Sequence, residues 1–319
     1  MTAAMTPLSV TAKTAAGDSY PIANPREIRV RRSLESPAES AEVLFFAAKM
    51  PAALLSLTIQ SGENVLFAGN IDRQTATISD GGLTVRLEAR SIGALLLDNQ
   101  AVPGLLQNAR PQAVFDRLAV PYGFVVYCPN ARGVLPLFTI RAGQSEWDAL
   151  CAYCRRMFGR TPYVTKKQVM VERPVSQSPL VISNTGDGLR FSSLAHVRTP
   201  YAVISQVNLR DENGYYTARV RNSAAVGLGQ TRRRFVVPSN EYEGYPALDA
   251  NQRIRRSMMG YERAEVALPG AMDAALGRDA RIKDRAIEIH NLMVLASELL
   301  CSADGVVTKL SLGSSVYYD

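Results

Sequence analysis

The sequence predicts a mainly β fold, in which two antiparallel β-domains flank a small α+β insert. Apolar and polar residues alternate with a period of two through much of residues 1–102, which is typical of strands with one buried face. The alternation returns after Pro174. Between these regions, residues 103–174 contain frequent prolines and the first convincing helices. We therefore expect three domains, at 1–102, 103–174 and 175–319.

The first region has the pattern of a compact antiparallel sheet, most simply a barrel or a sandwich. Leu55, Leu57 and Ile59 alternate with polar residues and are expected to share a buried face. Gly81 and Gly82 permit the positive φ of a hairpin turn between two such strands. The predicted strands are 27–31, 42–47, 55–60, 65–72, 75–78 and 83–90.

Two helices and two strands are predicted in the insert. Ser145 is a good N-cap with Asp148 three residues later, and Gly159 is a typical stop, so a helix is expected between Ser145 and Gly159. A weaker helical pattern covers residues 112–119. The strand-like stretches that follow these helices are 124–128 and 161–172.

Two hairpins and an inserted helix are predicted in the third region. The loops 211–214 and 303–305 contain the residues that hairpin turns favour. Residues 249–262 have helical spacing, with Ile254 and Met258 on one face. The segment 287–300 also allows a helix, but the turn and strand that follow it favour a long strand. The predicted hairpin strands are 201–209, 215–221, 286–301 and 306–312.

The composition is that of an ordinary globular protein, with 47% hydrophobic and 20% charged residues. No run approaches the ~18 consecutive apolar residues of a membrane span, so none is expected. Residues 1–18 lack the basic flank and apolar block of a signal peptide, which predicts a protein that stays in a reducing cytoplasm after synthesis. The four cysteines are therefore expected to be buried thiols.

The net charge of +7 comes mainly from arginine, since only six of the 36 basic residues are lysine. Arginine is favoured where carboxylates or phosphates are bound bidentately, at protein interfaces or on nucleic acid. A GC-rich genome also encodes arginine and alanine in place of lysine and isoleucine. This compositional explanation is the preferred one for the overall excess.

The densest basic cluster consists of Arg232, Arg233 and Arg234. It is predicted to contact an acidic partner or nucleic acid, and a solvated strand end explains it equally well. A specific nucleic-acid-binding module is not favoured, because the sequence lacks aromatic residues interleaved along a basic strand. The cluster is therefore assigned as a partner interface.

No metal or cofactor site is predicted. His196 and His290 have no second metal ligand nearby in the sequence and are expected to be ordinary surface or strand histidines. Cys151 and Cys154 form a CxxC pair, but both lie on the apolar stripe of the predicted helix. Free cysteines in that position commonly behave as small hydrophobic side chains.

No catalytic site is predicted either. Phosphate loops, dinucleotide-binding glycine motifs and nucleophile elbows are absent from the sequence. A glycosidase needs two carboxylates that face each other in a cleft. The nearest candidates are Glu35, Glu39 and Glu42, which are expected to lie in a solvated loop. The protein is therefore predicted not to be an enzyme.

Five segments follow one another in a recognisable order. Residues 65–72 end in Phe-x-Gly-x-Ile-Asp, and residues 83–91 close with an arginine and a serine. Residues 95–99 are rich in leucine and end in Asp-Asn. A helix at 144–157 and a closing hairpin at 305–312 fit the same order. Together these segments resemble the baseplate hub proteins of phage tails, also called late control or tail-tip hub proteins.

The resemblance implies a structural virion protein with two tube-like antiparallel β-barrel domains around the small α+β insert. Three chains would form a homotrimeric ring that adapts the six-fold tail tube to the three-fold spike of a phage tail or phage-tail-like particle. The implied partners are the tail tube or distal tail protein, the central spike, the baseplate wedge proteins and the C-terminus of the tape measure protein. The implied location is the tail baseplate of the virion, after assembly in the host cytoplasm. A peptidoglycan-degrading tail-associated enzyme is the alternative.

Overall fold

The computed structural model describes residues 8–173, 178–237 and 246–316. Its largest feature is a sheet of 13 strands, to which both terminal regions of the chain contribute. The predicted mainly β fold is confirmed.

Seven strands from the N-terminal region form one half of this sheet. They are β1 (Leu8–Thr14), β2 (Ser19–Pro21), β3 (Glu27–Ser33), β4 (Ser40–Phe46), β5 (Leu54–Ser61), β6 (Asn64–Ser79) and β7 (Gly82–Ser91). Neighbouring strands pair antiparallel in the order β3-β4-β7-β6-β5-β1-β2. The predicted hairpin between β6 and β7 is confirmed, and Gly82 adopts the positive φ of +99° that its turn requires. The alternation pattern does not predict β1 and β2.

The side chains of β5 follow the predicted alternation only in part. Leu57 and Ile59 are fully buried, as expected. Leu55 is 52% exposed, and Leu54 is buried in its place. The cause is a β-bulge, because two consecutive residues of β1 pair with Ser56 and Leu54 and leave Leu55 without a partner. The prediction of an inward-facing Leu55 is therefore wrong.

The middle region folds around two helices and two small sheets. Its elements are α1 (Ala94–Asp98), β8 (Gly104–Ala109), α2 (Pro111–Leu118), β9 (Val125–Tyr127), β10 (Leu135–Ile140), α3 (Glu146–Phe158), β11 (Tyr163–Thr165) and β12 (Gln168–Met170). The two predicted helices are confirmed, and α3 begins with a capping box between Ser145 and Asp148. Residues 161–172 form a hairpin rather than the predicted single strand. Lys166 adopts a φ of +54° and turns the chain between β11 and β12.

The next part of the chain adds a small three-stranded sheet and the inserted helix. Its elements are β13 (Leu180–Ile182), β14 (Ser193–Arg198), β15 (Gln206–Leu209), β16 (Ala218–Arg221), α4 (Ser223–Gly227), β17 (Arg233–Val236) and α5 (Pro246–Met259). The predicted helix is confirmed, with Ile254 and Met258 buried. The predicted hairpin is present with shorter strands. The second strand starts at Ala218, because the Asp211 side chain accepts hydrogen bonds across a loop that extends to Thr217. The first strand starts at Gln206, after a short 3-10 helix at Pro200–Ala202.

The C-terminal strands are β18 (Glu262–Pro269), β19 (Asp279–Lys283), β20 (Glu288–Ser302) and β21 (Gly305–Ser314). The predicted long strand and its hairpin with the last strand are confirmed. The first half of β20 lies between β19 and β21. Its second half lies between β21 and β3, with residues 296–301 paired to residues 28–33. The strand β20 therefore joins the N-terminal and C-terminal strands into one sheet.

The path through the sheet runs β14-β18-β21-β20-β3-β4-β7-β6-β5-β1-β2. Its two ends do not pair with each other among the strands that the structure describes. Closure into two tube-like barrels is therefore not observed there and stays a prediction. The domain bounds at 102 and 174 stay a prediction as well.

Four hydrophobic cores support these elements. The N-terminal core includes Leu299 from β20, and a second core fills the middle region. The third core lies against β18 to β21 and takes in Leu34, Tyr163 and Met170 from earlier parts of the chain. A small fourth core lies between α5 and β15. The middle core also includes Leu96 and Ala101, so three of the cores draw side chains from more than one of the predicted domains.

Arg32 of β3 lies where the N-terminal, middle and C-terminal regions meet. Its Nε is 3.2 Å from Glu39 Oε1, and its Nη1 is 2.5 Å from Asp273 Oδ1. It also donates a hydrogen bond to the backbone carbonyl of Leu66. Lys166, from the turn between β11 and β12, lies 3.2 Å from Asp273 Oδ2. Only 9% of the Arg32 side chain is exposed, so this charge is balanced by the cluster and little by water.

The two carboxylates of this cluster respond differently to burial. Burial raises the pKa of Glu39 above its ordinary value, and the opposing effect of Arg32 does not offset it. Burial favours a higher pKa for Asp273 as well, but the combined effect of Arg32 and Lys166 is larger. The pKa of Asp273 therefore lies below its ordinary value. Both carboxylates therefore rely on Arg32 to remain charged.

Replacing Arg32 with Met is expected to destabilise the protein by about 3–5 kcal/mol at pH 8, because it leaves two carboxylates without their main counter-charge. Their folded-state pKa values rise in the variant, so the cost grows as the pH rises through the ordinary carboxylate range. The deficit relative to wild type should therefore be smaller at pH 5 than at pH 8. Urea unfolding at both pH values measures it.

The matched control is Arg31→Met, on the same strand. Arg31 is 55% exposed and bonds Glu298 at 2.8 Å. Its loss should cost about 1 kcal/mol or less. Equal deficits for the two variants, or an Arg32→Met deficit that does not change with pH, would contradict the role given to Arg32.

Candidate functional site

The predicted basic cluster lies at β17, an edge strand of the small sheet β16-β15-β17. Its three arginine side chains do not form one surface. The Arg232 guanidinium donates hydrogen bonds to the backbone carbonyls of Tyr201 at 3.0 Å and Ala202 at 2.9 Å. Arg233 and Arg234 follow each other along β17, so their side chains leave opposite faces of the sheet. Of the three predicted residues, Arg233 is the one placed on the face opposite α5.

The sequence pattern singles out Arg233 on this outer face, but not the neighbours of Arg233 there. The strand register aligns Arg221, Gln206 and Arg233 in one row. The next row on the same face consists of Arg219, Asn208 and Phe235. We call this surface, formed by Arg219, Arg221, Arg233, Phe235 and the adjacent Tyr216, the basic–aromatic face.

The aromatic side chains of this face are exposed and contact each other. Phe235 is 64% exposed and Tyr216 is 41% exposed. Their ring centroids are 5.2 Å apart and their planes are at 89°, which is an edge-to-face contact. Exposed aromatic side chains beside arginine are the composition that protein interfaces favour.

The arginines of the basic–aromatic face have no counter-charge in the described part of the chain. Arg219, Arg221 and Arg233 are exposed and form no ion pair with a described carboxylate. The nearby Asp211 is engaged in its own loop, where it accepts hydrogen bonds from the backbone of Tyr215 at 2.8 Å and from Thr217 Oγ1 at 2.9 Å. These bonds lower the pKa of Asp211, the backbone bond from Tyr215 most strongly. Among the described residues, this face therefore carries net positive charge.

A packed inner side supports this face. Val207 and Leu209 of β15 are buried in the core that also contains Ile254 and Met258 of α5. Asn222 caps α4 and also donates a hydrogen bond from Nδ2 to the backbone carbonyl of Ile204 at 2.9 Å. The exposed arginines thus project from a fixed platform.

Aromatic residues lie among the arginines of this region. The sequence pattern disfavours a nucleic-acid-binding module because no aromatic residues interleave along a basic strand, yet Phe235 and Tyr216 lie among the arginines of one face. Part of the signal is present in the sequence as the alternation of residues 218–221, whereas residues 233–236 read Arg-Arg-Phe-Val and do not alternate. It becomes visible only when the parallel pairing of β15 with β17 is known.

The CxxC pair lies in a hydrophobic core, and each histidine lies beside a glutamate. Cys151 and Cys154 are buried in the middle core, and burial raises the pKa of the Cys154 thiol. Cys128 and Cys301 are only partly buried, so the prediction of four buried thiols is wrong for these two. His196 Nε2 lies 3.0 Å from Glu262 Oε1, which also binds Arg198. His290 Nε2 lies 3.4 Å from Glu288 Oε1. Within the described ranges, no group of three or more His, Cys, Asp or Glu side chains could hold a metal ion.

The three candidate carboxylates do not form a pair in a cleft. Glu35 is exposed, as predicted for a solvated loop. Glu39 is instead part of the Arg32 cluster, with 14% of its side chain exposed. Glu42 lies on β4 and binds Arg86 of the neighbouring strand. The prediction of one solvated loop is therefore wrong for Glu39 and Glu42.

Three of the five segments that suggested the family resemblance converge on Arg90. Its guanidinium bonds both oxygens of Asp72, at 2.7 and 3.1 Å, and both oxygens of Asp98, at 3.0 and 2.8 Å. Gly69, in the first segment, packs so closely against the Arg90 backbone carbonyl that a Cβ atom would collide with it. These contacts of Arg90 with Gly69, Asp72 and Asp98 thus hold β6, β7 and α1 together.

No protein-family model and no curated protein matches the sequence. Solved structures match almost the whole chain. The 43 kDa tail protein of prophage MuSo2 from Shewanella oneidensis aligns with a TM-score of 0.79 at 16% identity, covering 98% of this chain and 100% of that chain. A tail protein from Neisseria meningitidis MC58 aligns with a TM-score of 0.77 at 15% identity, covering 98% of each chain. The chain has the fold of these phage tail proteins.

A more distant match comes from the E. coli c3393 protein, a component of the type VI secretion system that is structurally similar to the T4 bacteriophage tail proteins gp27 and gp5. It aligns with a TM-score of 0.56 at 10% identity, covering 98% of this chain and 78% of that chain. At these identities the matches show a common fold. The resemblance to phage tail proteins is confirmed at that level. No helix in the described ranges is long and apolar enough to cross a membrane.

Replacing Arg90 with Gln is expected to destabilise the protein by about 1–2 kcal/mol, because two bidentate pairs are lost at a site that is partly open to water. Arg86→Gln is the matched control, since Arg86 is on the same strand and binds one carboxylate. Its cost should be below about 1 kcal/mol. Thermal unfolding compares the two, and an equal or larger loss for Arg86→Gln would contradict the assignment.

Proposed function

We propose that this protein is the structural hub of the baseplate of a phage tail or phage-tail-like particle. The observation that carries the proposal is the match of the whole chain, end to end, to two phage tail proteins. A match of this extent includes the insert and the small sheet as well as the strands. The proposal retains the three expected domains, with two tube-forming β regions at 1–102 and 175–319.

The sheet offers a physical route to a ring of three chains. Among the described strands, its path ends at β2 on one side and at β14 on the other. Each end leaves backbone donors and acceptors that a strand from a neighbouring chain can pair with. Cyclic symmetry would close such head-to-tail pairing into a homotrimer. Each chain would contribute two β regions to a ring with six-fold pseudo-symmetry, which suits an adaptor between tail tube and spike.

The basic–aromatic face has a separate place in this proposal. It lies on the small sheet, apart from the strands that would form the ring. Its unpaired arginines around Phe235 favour a protein partner with carboxylates and an apolar patch. We assign it to one of the surrounding tail proteins, among which are the tail tube or distal tail protein, the spike, the wedge proteins and the tape measure C-terminus. The protein would reach the virion baseplate after assembly in the host cytoplasm.

The alternative is an enzyme that degrades peptidoglycan. It has little support, because Glu39 and Glu42 are engaged by arginines on different strands. Clearing of a peptidoglycan zymogram by the purified protein would overturn the structural assignment.

The oligomeric state tests the proposed ring. We expect size-exclusion chromatography with light scattering to give three times the chain mass of 34.7 kDa, for the protein alone or after extraction from tails. The expected reason is edge pairing between β2 and β14 of neighbouring chains. A monomer at micromolar concentration, together with a single copy in assembled tails, would contradict it.

The double variant Arg233→Glu with Phe235→Ser tests the basic–aromatic face. Both side chains are exposed, so the unfolding temperature should stay within a few degrees of wild type. Incorporation into tails should fall at least about tenfold, because the change removes an apolar anchor and reverses a charge. The control Arg281→Glu alters an exposed arginine on β19 and should incorporate normally. Normal incorporation of the double variant would refute the assignment.

A further inference from the structure

A cleft of about 710 Å³ lies where α3 ends, beside α5 and the strands β20 and β21. This volume is within the range of ligand-binding clefts in proteins. Arginine dominates its wall, with Arg155, Arg160, Arg255, Arg256 and Arg263 all lining it. The cleft is separate from the basic–aromatic face, which lies on the opposite side of the small sheet from α5.

Three arginines of this cleft have no carboxylate partner among the described residues. Arg160, Arg256 and Arg263 form no ion pair with any carboxylate in the described part of the chain. The Nε atom of Arg160 is buried and has no hydrogen-bond partner among the described residues. Glu35 is the single carboxylate among the lining residues. Burial of this Nε atom makes the unpaired Arg160 costly, and a bound anion would offset that cost. Arg256 and Arg263 are exposed and accessible to the same anion.

A neighbouring cleft differs in its ion pairs, although the Nε of Arg32 there is also buried without a hydrogen bond. It has a volume of about 580 Å³ and is lined by Arg31, Arg32 and Arg90 among other residues. Each of these three arginines binds a carboxylate of the chain itself. Arginines that line a cleft of this protein can therefore be paired with its own carboxylates. The unpaired arginines of the larger cleft need a separate explanation.

The larger cleft is held open by contacts between α3 and α5. Gln252 and Arg255 of α5 both donate hydrogen bonds to the backbone carbonyl of Gly159, the residue that ends α3. Arg155 donates from Nε to Thr161 Oγ1 at 3.1 Å. The wall is thus preorganised, which reduces the entropic cost of binding.

The lining is not only cationic. Leu34, which is 7% exposed, contributes to it together with Met259 and Leu295. Inorganic phosphate would gain nothing from this apolar surface, and duplex nucleic acid presents its charges along an extended rod. A peptide with carboxylates on either side of an apolar side chain matches both parts of the lining.

We propose that this cleft binds an acidic peptide segment of a partner protein, with carboxylates on Arg160, Arg256 and Arg263 and an apolar side chain against Leu34 and Met259. Guanidinium groups bind carboxylates bidentately, which gives such a segment both affinity and a fixed orientation. The site does not depend on the proposed ring, because all of its lining residues belong to one chain.

The test uses the full-length protein and a fluorescein-labelled hexapeptide, Glu-Asp-Leu-Glu-Asp-Leu, followed by fluorescence anisotropy. We expect saturable binding that weakens as salt is added. The matched peptide with Gln and Asn in place of the acids should bind at least about tenfold more weakly. The double variant Arg256→Gln with Arg263→Gln should lose a similar factor, whereas Arg281→Gln should bind like wild type.

Circular dichroism melts establish that the variants fold. The variant Arg160→Gln is a second, independent change in the wall of the same cleft. Several results would overturn the proposal. They are an acidic peptide that does not bind, equal binding of the neutral peptide, equal affinity in the cleft variants and the Arg281→Gln control, and displacement of the peptide by equimolar inorganic phosphate or single-stranded DNA.

Discussion

Arg32 carries a charge that has almost no access to water, at the point where β3 meets β20. A buried guanidinium is tolerated only when carboxylates and carbonyl groups surround it. Here those groups come from distant parts of the chain, since Glu39 and Leu66 precede the insert and Asp273 follows it. Lys166 adds the insert itself to the cluster. The position of Arg32 therefore depends on all three regions being in place.

The same junction explains why the sheet is continuous. The second half of β20 pairs with β3, and Leu299 from that half enters the N-terminal core. The two terminal β regions consequently cannot rotate independently without breaking a strand pair and exposing the Arg32 cluster. A rigid pair of β regions would suit the proposed ring, in which β2 and β14 would have to be presented at a fixed angle. The basic–aromatic face is separate from this junction, whereas the arginine-lined cleft beside α3 and α5 borders it through Ser33 and Ala296.

The sequence predicts well what local interactions decide. Gly159 ends α3 in left-handed geometry as expected, because a helix stop depends on the residues beside it. Lys166 takes a positive φ that its residue type does not favour, so the hairpin there is set by tertiary packing. The exposure of Leu55 depends on a bulge against β1, and the burial of Glu39 depends on Arg32 and distant Asp273. The basic–aromatic face depends on the parallel pairing of β15 and β17, which no local pattern encodes.

Native-state hydrogen exchange tests the central claim that β20 and β3 make the two terminal β regions one cooperative unit. The amides of residues 28–33 and 296–301, which pair across this junction, would be followed as denaturant is added. Our account predicts that they exchange with the same opening free energy and the same denaturant dependence, together with the slowest amides of β7 and β21. Two groups of amides that open at clearly different free energies, one in each terminal region, would contradict it.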